Sequence, residues 1–293
     1  MVRGSLVARR RPRPGLISLS PLAIVAVLIV AVATLAAIAA PLLAPADPLA
    51  IDLAARFDPP VFLPGGDWSH PLGTDQLGRD LAARILFGLR VSLLVGVIAA
   101  TLSAAVGIVL GLLSGFFGGI LDIVAMRLAD IQLAFPLLVL AIAIIGIVGS
   151  DITAIVLVLG LWGWASFGRV VRAEVLVQRE LEYVEAARVA GSGRWKIILR
   201  HILPNTLSSA TVLWTFAVAQ MIIIEGALSF LGLGVKPPNP SLGGIMSDGR
   251  QVISTAWWVI TLPGLVIVAL VLGFNTLGDA LRDYLDPRTR RGR

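Results

Sequence analysis

Few residues of this sequence have side chains that could do covalent or metal chemistry. The 293-residue chain contains no cysteine, which excludes disulfides and thiolate metal sites, and its two histidines, His70 and His201, are too few for a typical zinc centre. Neither H-E-x-x-H nor G-x-S-x-G occurs, and the phosphate-binding pattern G-x-x-x-x-G-K-[ST] is missing as well. The sequence therefore predicts no metal, no cofactor, no catalytic centre and no ATPase of its own.

The remaining reactive or polar side chains are charged, and they are densest in the segment EYVEAARVAGSGRWKIILRHILPN, residues 182–205. Read as a helix, this segment and the residues just before it have one charged face. Two ion pairs at i,i+3 are expected on that face, Arg179 with Glu182 and Glu185 with Arg188. Exposed pairs of this kind add only a few tenths of a kcal/mol. The opposite face is apolar and is predicted to pack on the rest of the protein. Its residues recur at spacings of three and four and begin before the segment: Val170, Ala173, Val177, Leu181, Val184 and Ala187.

Glycines in the same segment predict a sharp turn. Because glycine adopts positive φ without steric cost, the chain is expected to end one helix at residues 191–193 and to begin a second at residues 195–203, which stops against Pro204. Small side chains at the tip would let the surface of another protein come close. A loop of no special purpose is the alternative that the residues alone leave open. The candidate contact residues are Glu185, Ala186, Ala187, Gly191, Ser192 and Gly193.

Three further charged residues fall inside apolar stretches. Arg127 and Asp130 lie in one such stretch and Glu225 in another. Ionisable groups in a membrane are costly and usually face protein or water. They are candidates either for lining a substrate path or for structural roles, with Arg127 paired to Asp130 and Glu225 hidden at a subunit interface.

The elements that position these residues follow from the composition. The chain is 57% hydrophobic and 14% charged, with a mean hydropathy of +0.91, more apolar side chain than a soluble core could bury. Its solvent must be lipid. The net charge of +6 does not indicate nucleic-acid binding, because the arginines fall in blocks between apolar runs and no basic face is interleaved with aromatic residues.

We predict an all-α membrane protein with about six transmembrane helices, since a bilayer core about 30 Å thick needs about 20 apolar residues in a helix. Pro136 and Pro263 are expected to kink their helices, and the sequence shows no inverted repeat with paired broken helices of the kind found in many secondary transporters. The predicted spans are residues 22–43, 91–117, 123–148, 152–167, 210–231 and 257–277.

Orientation follows from the basic residues. Seventeen of the 24 lie in the amino-terminal tail, in the polar region from Arg169 to His201 or in the carboxy-terminal tail, so we predict all three in the cytoplasm. The first apolar run is too long for a typical secretory signal and is expected to remain as an anchor. The predicted divisions are an arginine-rich tail (1–21), the first helix (22–43), an extracytoplasmic loop (44–90), a transmembrane core (91–280) with its polar loop (169–209), and a tail (281–293).

The extracytoplasmic segments are expected to be mostly irregular. Proline and glycine are frequent in the first loop, which should end in a short amphipathic helix over residues 75–87 lying on the membrane surface. The second, residues 234–250, is rich in the same residues and is predicted to be a long loop at the outer mouth. Lys236 and Asn239 are its candidate contacts with another protein, and a plain connector is the alternative.

The polar segment resembles a known signature. EAARVAG, nine residues and then HILP are similar to the EAA loop of permease subunits in ATP-binding-cassette importers, with a departure only at His201, where the family has isoleucine. From about His70 onward, further segments resemble the dipeptide, oligopeptide and nickel branch of that family: HPLGTDQLGRDLAARILFGLRVSLLVG, RLADIQLAFPLLVLAI, EGALSFLGLGVKPPNPSLGGIMSDGR and LGDALRDYLDPR.

The resemblance implies a type I importer permease of a bacterial or archaeal plasma membrane, carrying peptide or nickel. It implies four kinds of contact: a homologous second permease, two ATPase subunits, an extracytoplasmic solute-binding protein and lipid. It also implies that the EAA tip sits in a cleft of the ATPase. A self-sufficient secondary transporter or channel, with the intramembrane charges as coupling sites, is the competing hypothesis.

Overall fold

The computed structural model describes residues 20–236 and 238–285, so the predictions for the two terminal tails lie largely outside the described residues. Within these two ranges the chain is helical and contains no β-strand, only one isolated bridge between Thr74 and Asp80. The helices are α1 (Pro21–Ile38), α2 (Ala40–Leu43), α3 (Leu81–Phe117), α4 (Gly119–Ala134), α5 (Leu137–Val148), α6 (Ile152–Trp162), α7 (Trp164–Gln178), α8 (Glu182–Val189), α9 (Arg194–Ile197), α10 (Leu203–Phe230), α11 (Leu242–Gly249) and α12 (Trp258–Leu285).

The prediction of about six spans is confirmed by length and composition. Five helical stretches of the described chain are long and apolar enough to cross a membrane, and the pair α4 and α5 makes a sixth if it counts as one span. Large apolar side chains on α1, α4 and α12 are exposed, as expected of surfaces that lipid or another subunit covers.

α3 differs from the expected surface helix followed by a separate span. It is one helix of 37 residues, and Leu81 and Ile85 at its start are buried instead of lying on a membrane surface. Asp80 starts the helix, since its Oδ1 accepts a hydrogen bond from the Ala83 N–H at 2.7 Å. No helix-breaking residue separates this first turn from the apolar run, so the two predicted elements form one helix. The loop that was predicted to be extracytoplasmic, called the outer loop below, therefore covers only residues 44–80.

The third span is broken where a kink was predicted. α4 and α5 meet at an angle of 90° around Phe135 and Pro136, because proline lacks the N–H and its ring clashes with the preceding turn. A second break separates α6 from α7 at Gly163, so the fourth span extends to Gln178 instead of ending at residue 167.

Side chains of adjacent helices satisfy the carbonyl groups that the second break leaves free. Ser103 Oγ donates to the Gly160 carbonyl at 2.8 Å, and Gln132 Nε2 donates to the carbonyl of Trp162. Unpaired backbone groups cost several kcal/mol in hydrocarbon, so these two side chains stabilise an interruption that lipid alone would not allow.

α3 forms the centre of the bundle, and its glycines determine how closely α7 approaches it. A Cβ on Gly111 would lie 2.8 Å from both the Gly168 carbonyl oxygen and the Val171 Cβ, and one on Gly115 would lie 2.8 Å from the Val175 Cβ. Small residues at every fourth position let two membrane helices pack backbone to backbone. The contact fixes the position from which the polar segment leaves the bundle.

The outer loop is anchored to the bundle by hydrogen bonds, although it is irregular in backbone. His70 Nδ1 lies 3.0 Å from Asp80 Oδ2, and the Trp258 indole N–H donates to the Thr74 carbonyl at 3.2 Å. These contacts join the loop to the starts of α3 and α12. The segment is thus a structured cover on one end of the bundle.

Candidate functional site

The polar insert, residues 179–202, contains the six candidate contact residues at a helix end with defined geometry. The Gly191 N–H donates to the Arg188 carbonyl at 2.9 Å, and the Ser192 N–H donates to the Ala187 carbonyl at 3.0 Å. With φ of +77° at Gly191, these bonds form a Schellman motif, which satisfies the last carbonyls of α8. The predicted glycine turn is confirmed.

Of the two predicted ion pairs in the insert, one forms. Glu185 Oε2 lies 3.1 Å from Arg188 Nη1 on the exposed surface of α8. Arg179 instead pairs with Glu180 at 3.0 Å, and its Nη1 donates to the Gly115 carbonyl at 2.9 Å. The helix ends at Gln178, which changes the angular relation between Arg179 and α8 and removes the expected i,i+3 pairing.

The buried face of the insert is displaced from the predicted apolar stripe. Val177 and Leu181 are 66% and 43% exposed, respectively, whereas Val184 is buried as predicted. Within α7 the buried residues include Val171 and Val175, so the packed face is rotated from the predicted one, and the break after α7 then interrupts the helical period. The insert packs on the ends of α3 and α7 through a cluster of buried residues: Leu112, Val171, Val175, Val184, Ile197, Ile198, Ile202 and Ala210.

The second helix of the insert continues into the fifth span, contrary to the prediction that it stops at Pro204. α9 passes through a π-helical turn, Ile198–Ile202, into α10, and the Leu203 N–H donates to the Ile198 carbonyl. A wider turn of this kind accommodates a proline, because it moves the clashing carbonyl aside. The insert and the fifth span are therefore mechanically one element.

Exposed apolar side chains surround the small residues of the tip. Val189 is 83% exposed and Trp195 is 59% exposed, although both belong to a segment that is otherwise polar. The Trp195 ring lies 5.7 Å from that of Phe117, at the end of α3. A cleft of about 460 Å³ opens beside this pair, lined by Phe116, Phe117, Arg188, Ser192, Arg194 and Ile197. Large apolar groups among charged ones are typical of a protein contact surface.

Residues 107–291 match the family described as binding-protein-dependent transport system inner membrane component, which covers the insert and the spans on both sides of it. The chain belongs to this family. It is thus a permease subunit of the bacterial inner membrane, as the resemblance of its EAA loop predicts.

Curated relatives resemble this permease over most of their length. The dipeptide transport system permease protein DppC of Haemophilus influenzae is 39% identical over 92% of this chain and 91% of its own. The protein of the same name in Escherichia coli K12 is 42% identical over 92% and 90% of the two chains. The di/tripeptide transport system permease protein DppC of Pseudomonas aeruginosa is 38% identical over 87% and 84%.

The charges of the third span do not pair with each other in the permease. Asp130 forms an ion pair with Arg169 of α7, and Asp122 forms one with Arg172, with 2.7 Å between Asp122 Oδ2 and Arg172 Nη2. Arg127 is exposed and makes no ion pair within the described ranges. The expected Arg127–Asp130 pair is wrong, because the acid turns towards α7.

Glu225 is completely buried within the permease, at 0% exposure. Its Oε2 accepts from Ser92 Oγ of α3 and its Oε1 from Ser229 Oγ of α10, each at 2.7 Å. Glu225 therefore connects elements of this subunit and does not line an open cavity of it.

A buried ionic cluster, in the half of the bundle that carries the outer loop, was not predicted from the sequence. Asp75 is 0% exposed and accepts hydrogen bonds from the side chains of Arg79, at 2.7 Å, and Arg84. Asp248 of α11 completes the cluster, 3.2 Å from Arg79 and 3.1 Å from Arg84. Arg79 and Asp248 are 169 residues apart, and only the i,i+4 spacing of Asp75 and Arg79 is a local signal.

The outer segment, predicted to be a long loop over residues 234–250, is helical in its second half, where α11 lies. Lys236 and Asn239, the candidate contacts with a binding protein, are exposed in the irregular first half. The Ser241 hydroxyl accepts a hydrogen bond from the Gly244 N–H at 3.1 Å and so starts the helix at the end of the proline-rich stretch.

Proposed function

We propose that this permease is one half of the translocation path of an ATP-driven importer of di- or oligopeptides. The observation that carries the proposal is the two-sided insert, which packs a buried face on α3 and α7 and turns its small tip outward. The relatives are named for dipeptide or di/tripeptide transport, which supports peptide over nickel as the cargo.

The proposed partners are a homologous second permease, two ATPase subunits and an extracytoplasmic solute-binding protein. The tip of the insert seats in a cleft of an ATPase, which supplies the energy that this chain has no phosphate-binding loop to provide. Because α9 continues into α10, a movement of the tip is passed directly to the fifth span. The residues assigned to this contact are Glu185, Ala186, Ala187, Gly191, Ser192 and Gly193.

Both termini and the insert face the cytoplasm in this proposal, and the outer loop with α11 faces the other side. The support is the excess of basic residues in the tails and the insert. Lys236 and Asn239 then lie where a binding protein docks.

We further propose that the surface of α4 around Arg127 and Asp130 adjoins the path or the second permease. Exposed charges are unfavourable against hydrocarbon, so water or protein covers this surface in the assembled importer. Glu225 has the structural role that its burial supports.

Purification from the native membrane tests the assembly. The permease should arrive with two ATPases and a second permease, and the reconstituted complex should hydrolyse ATP faster when loaded binding protein is added. Uptake of labelled dipeptides, tetrapeptides and nickel in a deletion strain then assigns the cargo. A chain that purifies alone and transports without ATP would instead be a secondary transporter.

A further inference from the structure

α11 is a short helix packed tightly among three long ones, in the half of the bundle that carries the outer loop. Leu242 and Ile245 are both 0% exposed. A Cβ on Gly88 of α3 would lie 3.0 Å from the Leu242 nitrogen, and one on Gly249 would lie 3.0 Å from the Ile260 nitrogen of α12. These close approaches allow α11 only one packed position in the bundle, which we call its seat.

Contacts fix both ends of this helix. At its carboxy-terminal end, Asp248 binds the guanidinium groups of Arg79 and Arg84. At its amino-terminal end, the Ser241 hydroxyl caps the helix, and Gly243 packs on Ser229 of α10, since a Cβ on Gly243 would lie 2.8 Å from the Ser229 Cβ. The first connection is partly exposed at Asp248, whereas the contact with α10 is buried on both sides.

Glu225 is the common acceptor beside the buried connection. It takes hydroxyl hydrogen bonds from Ser92 of α3 and from Ser229 of its own helix, so one carboxyl group joins α3 to the part of α10 on which α11 packs. A buried polar group costs free energy unless it is hydrogen-bonded. Removal of the carboxyl group would leave hydroxyls of α3 and α10 without their acceptor beside the start of α11.

We propose that Glu225 is a positioning residue for transport, which seats α11 against α3 and α10 in the outer half of the bundle. The proposal rests on the proposed function, because α11 belongs to the outer segment where the binding protein docks. With Glu225 removed, the amino-terminal end of α11 leaves its seat while Asp248 still holds the other end. The outer segment then no longer presents a fixed surface.

Hydrogen exchange of the assembled importer in lipid nanodiscs tests the seat directly. We compare the parent with Glu225→Ala, Glu225→Gln and a control in the same helix, Thr215→Val. Thr215 is buried and donates only to the Val212 carbonyl of its own helix, at 2.7 Å. In Glu225→Ala the amides of α11 should exchange about tenfold faster, the effect expected when a buried hydrogen-bond acceptor is lost. The control should leave α11 unchanged.

The glutamine variant separates positioning from charge. Glu225→Gln keeps a carbonyl acceptor of the same size, so both the protection of α11 and most of the uptake should return. Unchanged exchange of α11 in Glu225→Ala overturns the proposal, and so does a glutamine variant that protects α11 but has lost uptake. Where Glu225→Ala fails to insert, Ser92→Ala takes its place, since it removes one donor to the same carboxyl.

A double-mutant cycle of Glu225→Ala with Ser229→Ala asks whether the two residues act through one contact. Their effects on α11 exchange should be less than additive, and full additivity would overturn the direct connection. Exchange is measured without ATP or cargo, so it reports on the seat even if the importer assignment fails. If the unsubstituted permease shows no ATP-driven uptake, only the assignment as an importer subunit is overturned.

Discussion

Single residues of the polar insert fall into two groups, those that shape the turn and those that face outward. Gly191 shapes the turn, since its positive φ permits both bonds of the Schellman motif. Glu185 faces outward, and its side chain is 63% exposed beside Arg188. The first group can be altered only with backbone strain, while the second can be altered with little effect on the permease itself.

The substitution Gly191→Trp should abolish coupling while the permease still inserts. No atom lies within 4 Å of a Cβ at this position, so the isolated chain has room for the ring, with backbone strain of about 1 kcal/mol. A seated ATPase surface does not have that room. The measurements are membrane content, co-purification of the ATPases and substrate-stimulated hydrolysis. Gly149→Trp is the matched control, because Gly149 also has positive φ and no atom within 4 Å of a Cβ but lies outside the insert. Normal coupling by Gly191→Trp would contradict the assigned contact.

Glu185→Lys should weaken assembly or coupling without lowering stability in the membrane. The exposed pair with Arg188 contributes at most about 1 kcal/mol, whereas reversal of a charge at a protein contact disfavours the partner. Glu180→Lys is the matched control, because Glu180 is also exposed and paired with an arginine but lies outside α8. Equal loss of ATPase binding in both variants would show a general charge effect in place of a specific contact.

At the scale of the helices, the sequence predicted the local features but not the contacts between distant parts of the chain. Apolar runs located the spans, and the glycines at 191–193 located the turn, because both are local patterns. The seat of α11, the cluster of Asp75 with Arg84 and the bond from Gln132 to the sixth helix depend on contacts between distant parts of the chain. The merger of α9 with α10 also escaped prediction, since a π-helical turn has no sequence period.

Substitution of Gly111 by leucine should separate α3 from α7 and destabilise the permease. A side chain there would collide with the Gly168 carbonyl and Val171, neither of which is a flexible side-chain end. The cost of overpacking is typically 1–3 kcal/mol, visible as a lower thermal midpoint of the purified subunit and as lost membrane content. Gly146→Leu on α5 is the control, because no atom lies within 4 Å of a Cβ there. Similar behaviour of both variants would argue against close packing at Gly111.

The whole molecule has two polar ends, the outer loop with α11 and the polar insert, separated by the apolar bundle. Which end meets the cytoplasm is predicted only by the positions of the arginines. A direct labelling experiment is therefore needed.

Single cysteines provide that experiment, since the chain has none of its own. Gly193→Cys should react with a membrane-impermeant maleimide only after cells are opened, whereas Ser69→Cys, in the exposed outer loop, should react in intact cells. The unsubstituted chain is the control for background labelling. Reaction of Gly193→Cys in intact cells would invert the proposed orientation and remove the ATPase contact with it.

The length of α3 has a consequence for the lipid around it. Its 37 residues extend about 55 Å, well beyond the about 30 Å of a bilayer's hydrocarbon. One end is fixed by Arg84 in its ionic cluster, and the other by the bond from Arg179 to Gly115 and by the Trp195 ring against Phe117. A helix held at both ends cannot relieve hydrophobic mismatch by tilting, so a thinner or thicker bilayer has to deform around it. The distance between the two polar ends then stays the same in membranes of different thickness.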